Sequence, residues 1–141
     1  MNTKIWLSSP HMSGEELKYI QQALENNQVS SDGKNIEVFE NSLYKYLAQN
    51  KQVTALSSGT AAIHLALIIA GIKYGDEVIC QSFTFSASVN PIVYLGATPI
   101  FIDSETETWN MCPTLLEEAI QDRIAKGQKP KAVIVVHLYG M

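Results

Sequence analysis

The sequence predicts an α/β fold with a mostly parallel sheet and helices on both of its faces. From about residue 51 onward, short apolar segments alternate with helical segments at the spacing of βαβ units. Hydrophobic residues make up 46% of the 141 residues and charged residues 17%, a balance typical of a globular domain with its own core. Helices that join parallel strands must lie on the faces of the sheet, so both faces are expected to be covered.

Two amphipathic helices are predicted before the alternating region. Ser13 and Glu16 have the spacing of a capping box that starts the first helix. Apolar residues recur at helical spacing, as Leu17, Ile20 and Leu24 in the first helix and as Ile36, Phe39, Leu43 and Leu47 in the second. The segment 26–33 between them is polar and ends in glycine, which predicts a loop. Residues 1–50 are therefore interpreted as an N-terminal helical segment.

Four strands and three helices are predicted in residues 51–141. The strands are Val53–Leu56, Glu77–Gln81, Thr98–Ile102 and Ala132–Val136. The helices are Thr60–Ala70, Ser86–Leu95 and Pro113 to about Lys126. Thr60–Ala70 is apolar almost all round, so it is expected to be buried on most sides. Pro91 fits either the first turn of its helix or a kink.

Composition narrows the possible functions. The net charge is −4 and the ten Lys and Arg residues are scattered, so no nucleic-acid partner is expected. The longest apolar stretch, Ala61–Gly71, is about half of a membrane span, and no secretory signal is expected. Cys80 and Cys112 lie far apart without a CxxC pair, which indicates reduced cysteines in a cytoplasmic protein. No His, Cys and Asp cluster has metal-ligand spacing, so no metal is expected.

Polar and aromatic residues follow the predicted strands, at the edge where open α/β sheets bind ligands. They are Ser57–Thr60, Ser82–Phe85, Asp103 and His137. A turn role is favoured for Asp103, whereas His137 is as consistent with a structural hydrogen bond as with ligand binding. His64, inside the predicted buried helix, is interpreted as a core histidine. Four glutamates are interpreted as solvated surface residues: Glu105, Glu107, Glu117 and Glu118.

The segment Ser58–Ala61 begins the predicted apolar helix. The first N–H groups of a helix lack partners and carry a partial positive charge, which suits a phosphate dianion. Gly59 would let the backbone approach such a ligand closely. A Ser/Thr N-cap on a core helix explains the same residues, so the motif leaves both interpretations open. It matches neither the Walker loop nor GxGxxG.

Phe85 also has two interpretations. An aromatic residue after a strand, within the hydroxyl-rich turn 82–86, can stack on a planar cofactor ring. In isolation, a buried aromatic beneath a loop is the favoured interpretation.

Seven segments in order resemble the DegT/DnrJ family of sugar aminotransferases, which are pyridoxal phosphate (PLP) enzymes of fold type I. They are Leu7–Met12, Ser58–Leu67, Gly75–Ile79, Ser82–Phe85, Tyr94–Asp103, Thr108–Met111 and Lys131–Gly140. The opening and the Trp109–Met111 segment most resemble the branch that aminates UDP-4-keto-6-deoxy-N-acetylglucosamine for bacillosamine-type sugars and exopolysaccharides. The resemblance covers essentially the whole chain, which corresponds to the first third of a family member.

The resemblance implies roles for individual residues. The backbone of Gly59, Thr60 and Ala61 would hold the phosphate of pyridoxal 5'-phosphate, and Phe85 would stack on its ring. The loop residues that would line the sugar-nucleotide site are Gln28, Val29, Ser30 and Ser31. The family usually has an aromatic residue where this chain has Gln28.

The resemblance also implies that residues 51–141 are the first part of the PLP-binding α/β domain, truncated. The lysine that binds the cofactor covalently, the acidic partner of the pyridine nitrogen and a further phosphate-binding serine lie downstream in the family. No catalytic residue is therefore expected in this chain, which by itself would be inactive. Because the family pairs Val53–Leu56 with later strands, residues 1–141 alone are expected to fold poorly or to need an intact partner chain.

The full-length protein is expected, by the same resemblance, to transfer an amino group from glutamate to a keto-sugar nucleotide. A homodimer with sites at its interface is implied, in the cytoplasm and without a membrane partner. Two alternatives are a PLP-dependent sugar dehydratase of the same fold, in which the lysine is replaced, and a non-catalytic nucleotide-binding or interaction module.

Overall fold

The computed structural model of the chain describes residues 4–6, 9–47 and 51–141. Its contacts divide the chain into two compact units, Met1–Ala55 and Leu56–Met141. Residue 50, the end of the predicted first segment, lies outside the described residues, as do Leu7 and Ser8 of the first resembling segment.

The first unit contains the two predicted helices, α1 (Glu16–Glu25) and α2 (Lys34–Tyr46). Half of the predicted capping box forms: the Glu16 carboxylate accepts a hydrogen bond from the Ser13 N–H at 2.6 Å. The Ser13 hydroxyl accepts instead from the Glu15 N–H at 3.2 Å. None of the side chains in α1 or α2 is buried, and Leu17 is 77% exposed. The amphipathic faces therefore exist, but this unit does not cover them.

The second unit is built on a three-stranded parallel sheet. In chain order its elements are α3 (Gly59–Ile69), β1 (Glu77–Gln81), α4 (Asn90–Tyr94), β2 (Thr98–Ile102), α5 (Pro113–Ala125) and β3 (Ala132–Ile134). The strand order is β2–β1–β3, with both neighbours parallel to β1. All five residues of β1 are buried, as expected for a central strand with both faces covered.

Helices cover both faces of this sheet, as predicted. On one face, Val78 and Cys80 pack with Leu67 of α3 and Ile92 of α4. On the other face, Ile79 packs with Ile102 and Met111. Three residues of α5 complete that second cluster: Leu116, Ala119 and Ile120. The two clusters alternate along β1 because successive side chains of a strand point to opposite faces.

Two strand predictions need correction. Val53–Leu56 forms no strand with any described residue, and its Ala55 N–H donates to the Glu40 carboxylate at 2.8 Å. The β3 strand ends at Ile134 rather than at Val136, because the Val136 N–H donates to the Gln81 side chain at 3.1 Å.

Two helix predictions also change in detail. The predicted helix 86–95 divides into a 3₁₀ helix, Ser86–Ser88, and α4. Pro91 lies in the first turn of α4, where its missing N–H costs no hydrogen bond. In α3 only Leu67 is buried, whereas Ile69 is 77% exposed, so the expectation of burial on most sides is wrong for this chain. Only one stripe of α3 meets the sheet and α4.

Candidate functional site

The first turn of α3 presents unpaired N–H groups. The Ser58 hydroxyl accepts a hydrogen bond from the Ala61 N–H at 3.1 Å, and the Ser58 carbonyl accepts from the Ala62 N–H at 3.0 Å. The N–H groups of Gly59 and Thr60 have no acceptor among the described residues. Ser58 is therefore an N-cap, and the capped turn still leaves two donors for an anion.

The space in front of this turn is open on the side of Gly59. A Cβ added at Gly59 would meet no heavy atom within 4 Å, so nothing in the described chain occupies the position beside its backbone. The arrangement fits a phosphate group, which needs N–H donors and room for close approach. The Ala61 N–H is already used by the cap, so its predicted contact with the phosphate stays a prediction.

The loop after β1 carries Phe85 with its ring 80% exposed, so the interpretation as a buried aromatic is wrong. The hydroxyls of Thr84 and Ser88 lie 2.9 Å apart, and the Ser88 N–H donates to the Phe85 carbonyl at 3.0 Å. The 3₁₀ helix that follows Phe85 packs against α3. An exposed ring thus projects from an ordered loop beside α3.

Two other predicted carboxyl-edge residues have local partners. The Asp103 carboxylate accepts from the Ser104 N–H at 2.8 Å and from the Ser82 hydroxyl at 3.4 Å, which confirms its turn role. The backbone carbonyl of His137 accepts from the Gly140 N–H at 3.1 Å, and its side chain is exposed. A ligand role for His137 stays a prediction.

His64 is half-buried and lies outside both core clusters, so the interpretation as a core histidine is wrong. It packs edge-on against Tyr94 of α4, with ring centroids 5.6 Å apart.

Gln81 and Asn110 were missed by the sequence analysis. Gln81 is fully buried at the end of β1; its Nε2 donates to the Phe83 carbonyl at 2.8 Å and its Oε1 accepts from the Val136 N–H. The Asn110 Oδ1 accepts from the Leu138 N–H at 2.8 Å. A side-chain amide at the end of a buried strand must be paired, which is the signal that could have identified Gln81.

Glu105 was wrongly interpreted as a solvated surface residue. It is half-buried, and its carboxylate accepts from the hydroxyl and the N–H of Thr108 and from the N–H of Glu107. These hydrogen bonds, that of the Thr108 hydroxyl above all, lower the pKa of Glu105 to about 2. Glu107, Glu117 and Glu118 are exposed, as predicted.

The predicted substrate loop belongs to the first unit. The Gln28 N–H donates to the Ala23 carbonyl at 2.8 Å, and its side-chain oxygen accepts from the Lys34 N–H at 3.3 Å. Val29 is 67% exposed, the Ser30 hydroxyl donates to the Asp32 carboxylate, and Ser31 is exposed. A cleft of about 340 Å³ between α1 and α2 is lined in part by Gln28. Substrate binding by Gln28–Ser31 stays a prediction.

Both cysteines are free thiols. Burial raises the pKa of the Cys80 thiol to about 11, so it is protonated at neutral pH, and Cys112 is half-buried. Within residues 4–6, 9–47 and 51–141, no group of three or more His, Cys, Asp or Glu could hold a metal ion. No helix in the described part of the chain is long and apolar enough to cross a membrane.

Two sequence relatives are similar over nearly the whole chain. EpsN of Bacillus subtilis (strain 168) is 51% identical over 99% of this chain and 36% of its own length, and its name describes a pyridoxal phosphate-dependent aminotransferase. GDP-perosamine synthase of Escherichia coli O157:H7 is 45% identical over 93% of this chain and 34% of its own length. The chain therefore spans about a third of the length of these relatives.

A solved structure has the same arrangement. NtdA of Bacillus subtilis, with bound cofactor PMP, superimposes with a TM-score of 0.74 and 34% identity over 92% of this chain and 29% of its own length. The parallel sheet with helices on both faces is thus shared with PLP-dependent aminotransferases, as predicted. The assignment of residues 51–141 to the first part of the PLP-binding domain stays a prediction. The family model for DegT/DnrJ/EryC1/StrS aminotransferases matches residues 10–141. The chain belongs to the DegT/DnrJ/EryC1/StrS aminotransferase family.

Proposed function

We propose that the protein containing this chain is a PLP-dependent aminotransferase that aminates a keto-sugar nucleotide in cell-surface polysaccharide or glycan biosynthesis. The observation that carries the proposal is the pair of unpaired N–H groups at Gly59 and Thr60, with the exposed ring of Phe85 in an ordered loop beside the same helix. Family membership and the names of the relatives agree with this chemistry.

The residues of the chain bind and orient the cofactor. The Gly59 and Thr60 N–H groups, with the backbone of Ala61, bind its phosphate, and the partial positive charge of the α3 N-terminus favours the dianion. The Phe85 ring stacks on the pyridine ring and excludes water from one face of it. When bound, the cofactor supplies the electron-accepting ring and the carbonyl that carry the amino group between two substrates.

The substrate is proposed to be UDP-4-keto-6-deoxy-N-acetylglucosamine, with Gln28, Val29, Ser30 and Ser31 lining its site and glutamate as the amino donor. The resemblance of the opening and of the Trp109–Met111 segment to the branch that uses this UDP-linked keto-sugar supports the choice. A GDP-linked keto-sugar is the second candidate, because a relative that is 45% identical is named GDP-perosamine synthase. We further propose a cytoplasmic homodimer.

The test uses the full-length polypeptide that contains this chain. Purified with PLP, it should show visible absorbance from bound cofactor and transfer ¹⁵N from labelled glutamate to the UDP-linked keto-sugar. Phe85→Ala should weaken PLP binding about tenfold, since aromatic stacking contributes about 0.5–1.5 kcal/mol beyond area burial. Phe85→Tyr should retain affinity. Tyr74→Ala is the control, because Tyr74 is 89% exposed and precedes β1 at the opposite edge.

Each failure has a distinct meaning. Consumption of the keto-sugar without ¹⁵N transfer would favour the dehydratase. Binding of UDP-sugar without PLP binding would favour the non-catalytic module. Amination of a GDP-linked keto-sugar alone would overturn the substrate proposal and leave the aminotransferase proposal intact.

A further inference from the structure

The carboxyl edge of the sheet is held together by two side-chain amides from different elements. Gln81 is the last residue of β1 and is 0% exposed, which is unusual for a polar side chain in a core. Its Nε2 donates to the Phe83 carbonyl at 2.8 Å, and its Oε1 accepts from the Val136 N–H at 3.1 Å. One buried side chain therefore connects the loop that carries Phe85 with the segment that follows β3.

Asn110 holds the same segment from the other side. Its Oδ1 accepts from the Leu138 N–H at 2.8 Å, two residues after the N–H that Gln81 binds. Its Nδ2 donates to the Thr108 hydroxyl at 3.0 Å. The β3 strand ends at Ile134, so the backbone of His137 is flanked by two N–H groups that bond to side-chain amides rather than to a neighbouring strand.

This arrangement restricts where Phe85 can lie. The Gln81 side chain donates a hydrogen bond to the loop that carries Phe85, at the Phe83 carbonyl. The hydroxyls of Thr84 and Ser88, which flank Phe85, form a hydrogen bond with each other. The ring itself is 80% exposed and has little packing to fix it. The position of the ring therefore depends on the hydrogen bonds of the loop backbone, among them the part-buried one from the Gln81 side chain to the Phe83 carbonyl.

We propose that Gln81 is a positioning residue. It fixes the loop that carries Phe85 relative to the segment that carries His137, and so places the Phe85 ring for cofactor binding. Asn110 fixes the far end of the His137 segment, at Leu138. The inference rests on the proposed function, since it gives Phe85 its role against the PLP ring. Gln81 acts through the backbone of its neighbours and makes no contact with the cofactor itself.

The experiment is a double-mutant cycle on PLP affinity in the full-length protein. Gln81→Met has a similar volume but lacks both hydrogen bonds, and it should weaken PLP binding. Phe85→Ala should then reduce PLP affinity by a factor that is at least about threefold smaller in the Gln81→Met protein than in the unmodified protein, because residues in one hydrogen-bond network couple. Additive effects would overturn the proposal.

The matched control is Glu77→Gln. Glu77 lies on the same strand at its opposite end, is also buried, and pairs with Arg123. Glu77→Gln should lower the thermal midpoint, because it disrupts this ion pair. It should leave the effect of Phe85→Ala on PLP affinity unchanged. Coupling of Phe85 to Glu77 as strong as to Gln81 would contradict a local positioning role.

Two further measurements keep the proposal testable if Gln81→Met does not fold. In Gln81→Glu a protonated carboxyl can donate to the Phe83 carbonyl while accepting from the Val136 N–H, whereas the ionised form cannot donate. PLP affinity of this variant should therefore recover as the pH falls, and an unchanged deficit at low pH would overturn the proposal. In the cofactor-free protein, amide exchange of Ser88, whose N–H donates to the Phe85 carbonyl, should accelerate in Gln81→Glu at neutral pH, because the loop loses the donor to its Phe83 carbonyl. Unchanged exchange would also overturn the proposal.

These outcomes separate the two levels of inference. If the unmodified protein binds no PLP, the proposed function fails. If it binds PLP and Phe85→Ala weakens binding without coupling to Gln81, only the positioning role fails.

Discussion

Ser58 shows that the helix-cap and the phosphate-site interpretations of its motif are compatible. Its hydroxyl caps α3 through the Ala61 N–H, and the cap leaves the Gly59 and Thr60 N–H groups unpaired among the described residues. A helix cap and an anion site are therefore compatible here, because the cap satisfies only one of the orphan donors of the first turn.

Ser58→Asp should separate these two roles. Aspartate is a good N-cap and its charge suits the helix dipole, so thermal stability should be kept or raised. Its negative charge should repel the phosphate, and PLP affinity of the full-length protein should fall at least about tenfold, consistent with unscreened like-charge repulsion. Ser58→Asn, a neutral cap, is the control and should retain both properties. Equal PLP affinity in the two variants would exclude a phosphate at this turn.

Ser58→Ala should destabilise the protein by about 1 kcal/mol, the typical loss for an N-cap. Denaturant unfolding measures this. A free energy of unfolding equal to that of the unmodified protein would show that the hydroxyl does not cap α3 in solution.

Glu105 predicts an acid dependence of stability. Its pKa is lowered from the ordinary 4.5 to about 2 by the hydrogen bonds of Thr108 and its neighbours. A lowered folded-state pKa stabilises the fold at pH values above 4.5, and this contribution is lost as the pH falls through about 2. In Glu105→Gln, the fall in unfolding free energy between these pH values should be shallower. Glu107→Gln, an exposed neighbour, should leave the slope unchanged; equal slopes for both variants would contradict the prediction.

Among the elements, α5 is tied to the amino end of β1 by one ion pair. The Arg123 Nε donates to the Glu77 Oε2 at 2.8 Å, and Glu77 is only 7% exposed. This pairing raises the pKa of Arg123 through the hydrogen bonds of Glu77. Removal of one partner of such a pair leaves an uncompensated buried charge, which costs more than the pair contributes.

Arg123→Met should therefore lower the thermal midpoint by several degrees, and Glu77→Gln in the same protein should restore part of the loss. Lys126→Met on the same helix is the control. Its pair with Asp122 at 2.8 Å is exposed on both sides, so its removal should change little. Equal midpoints for the two single variants would show that the Glu77 pair contributes no more than a surface contact.

For the molecule as a whole, apolar exposure is the dominant feature. Ile69, Leu17 and Leu24 are 77%, 77% and 63% exposed, although they lie on helices whose apolar faces normally pack. That residues 1–141 alone fold poorly stays a prediction.

Residues 1–141 expressed alone should accordingly bind the dye ANS and self-associate at micromolar concentration. Size-exclusion chromatography and dye fluorescence measure both properties. A monomer with a cooperative thermal melt and no dye binding would contradict this prediction.

The periodicity of the chain was sufficient to locate most elements, because helix and strand periods are local. Both ends of β1 and of β2 match the prediction, as does the start of α5 at Pro113. The Ser58–Thr60 turn and the Phe85 loop were also recognisable, since the end of a predicted strand gives a residue its place at the carboxyl edge.

Only the tertiary structure decided which residues distant in sequence contact each other. Pattern could not show that Gln81 would capture the Val136 N–H and so shorten β3, nor that Glu105 would be enclosed by Thr108. Periodicity also could not show that Val53–Leu56 lacks a strand partner among the described residues, or that Phe85 is exposed. Burial and the hydrogen bonds between residues distant in sequence depend on how the elements pack. Local periodicity does not determine that packing.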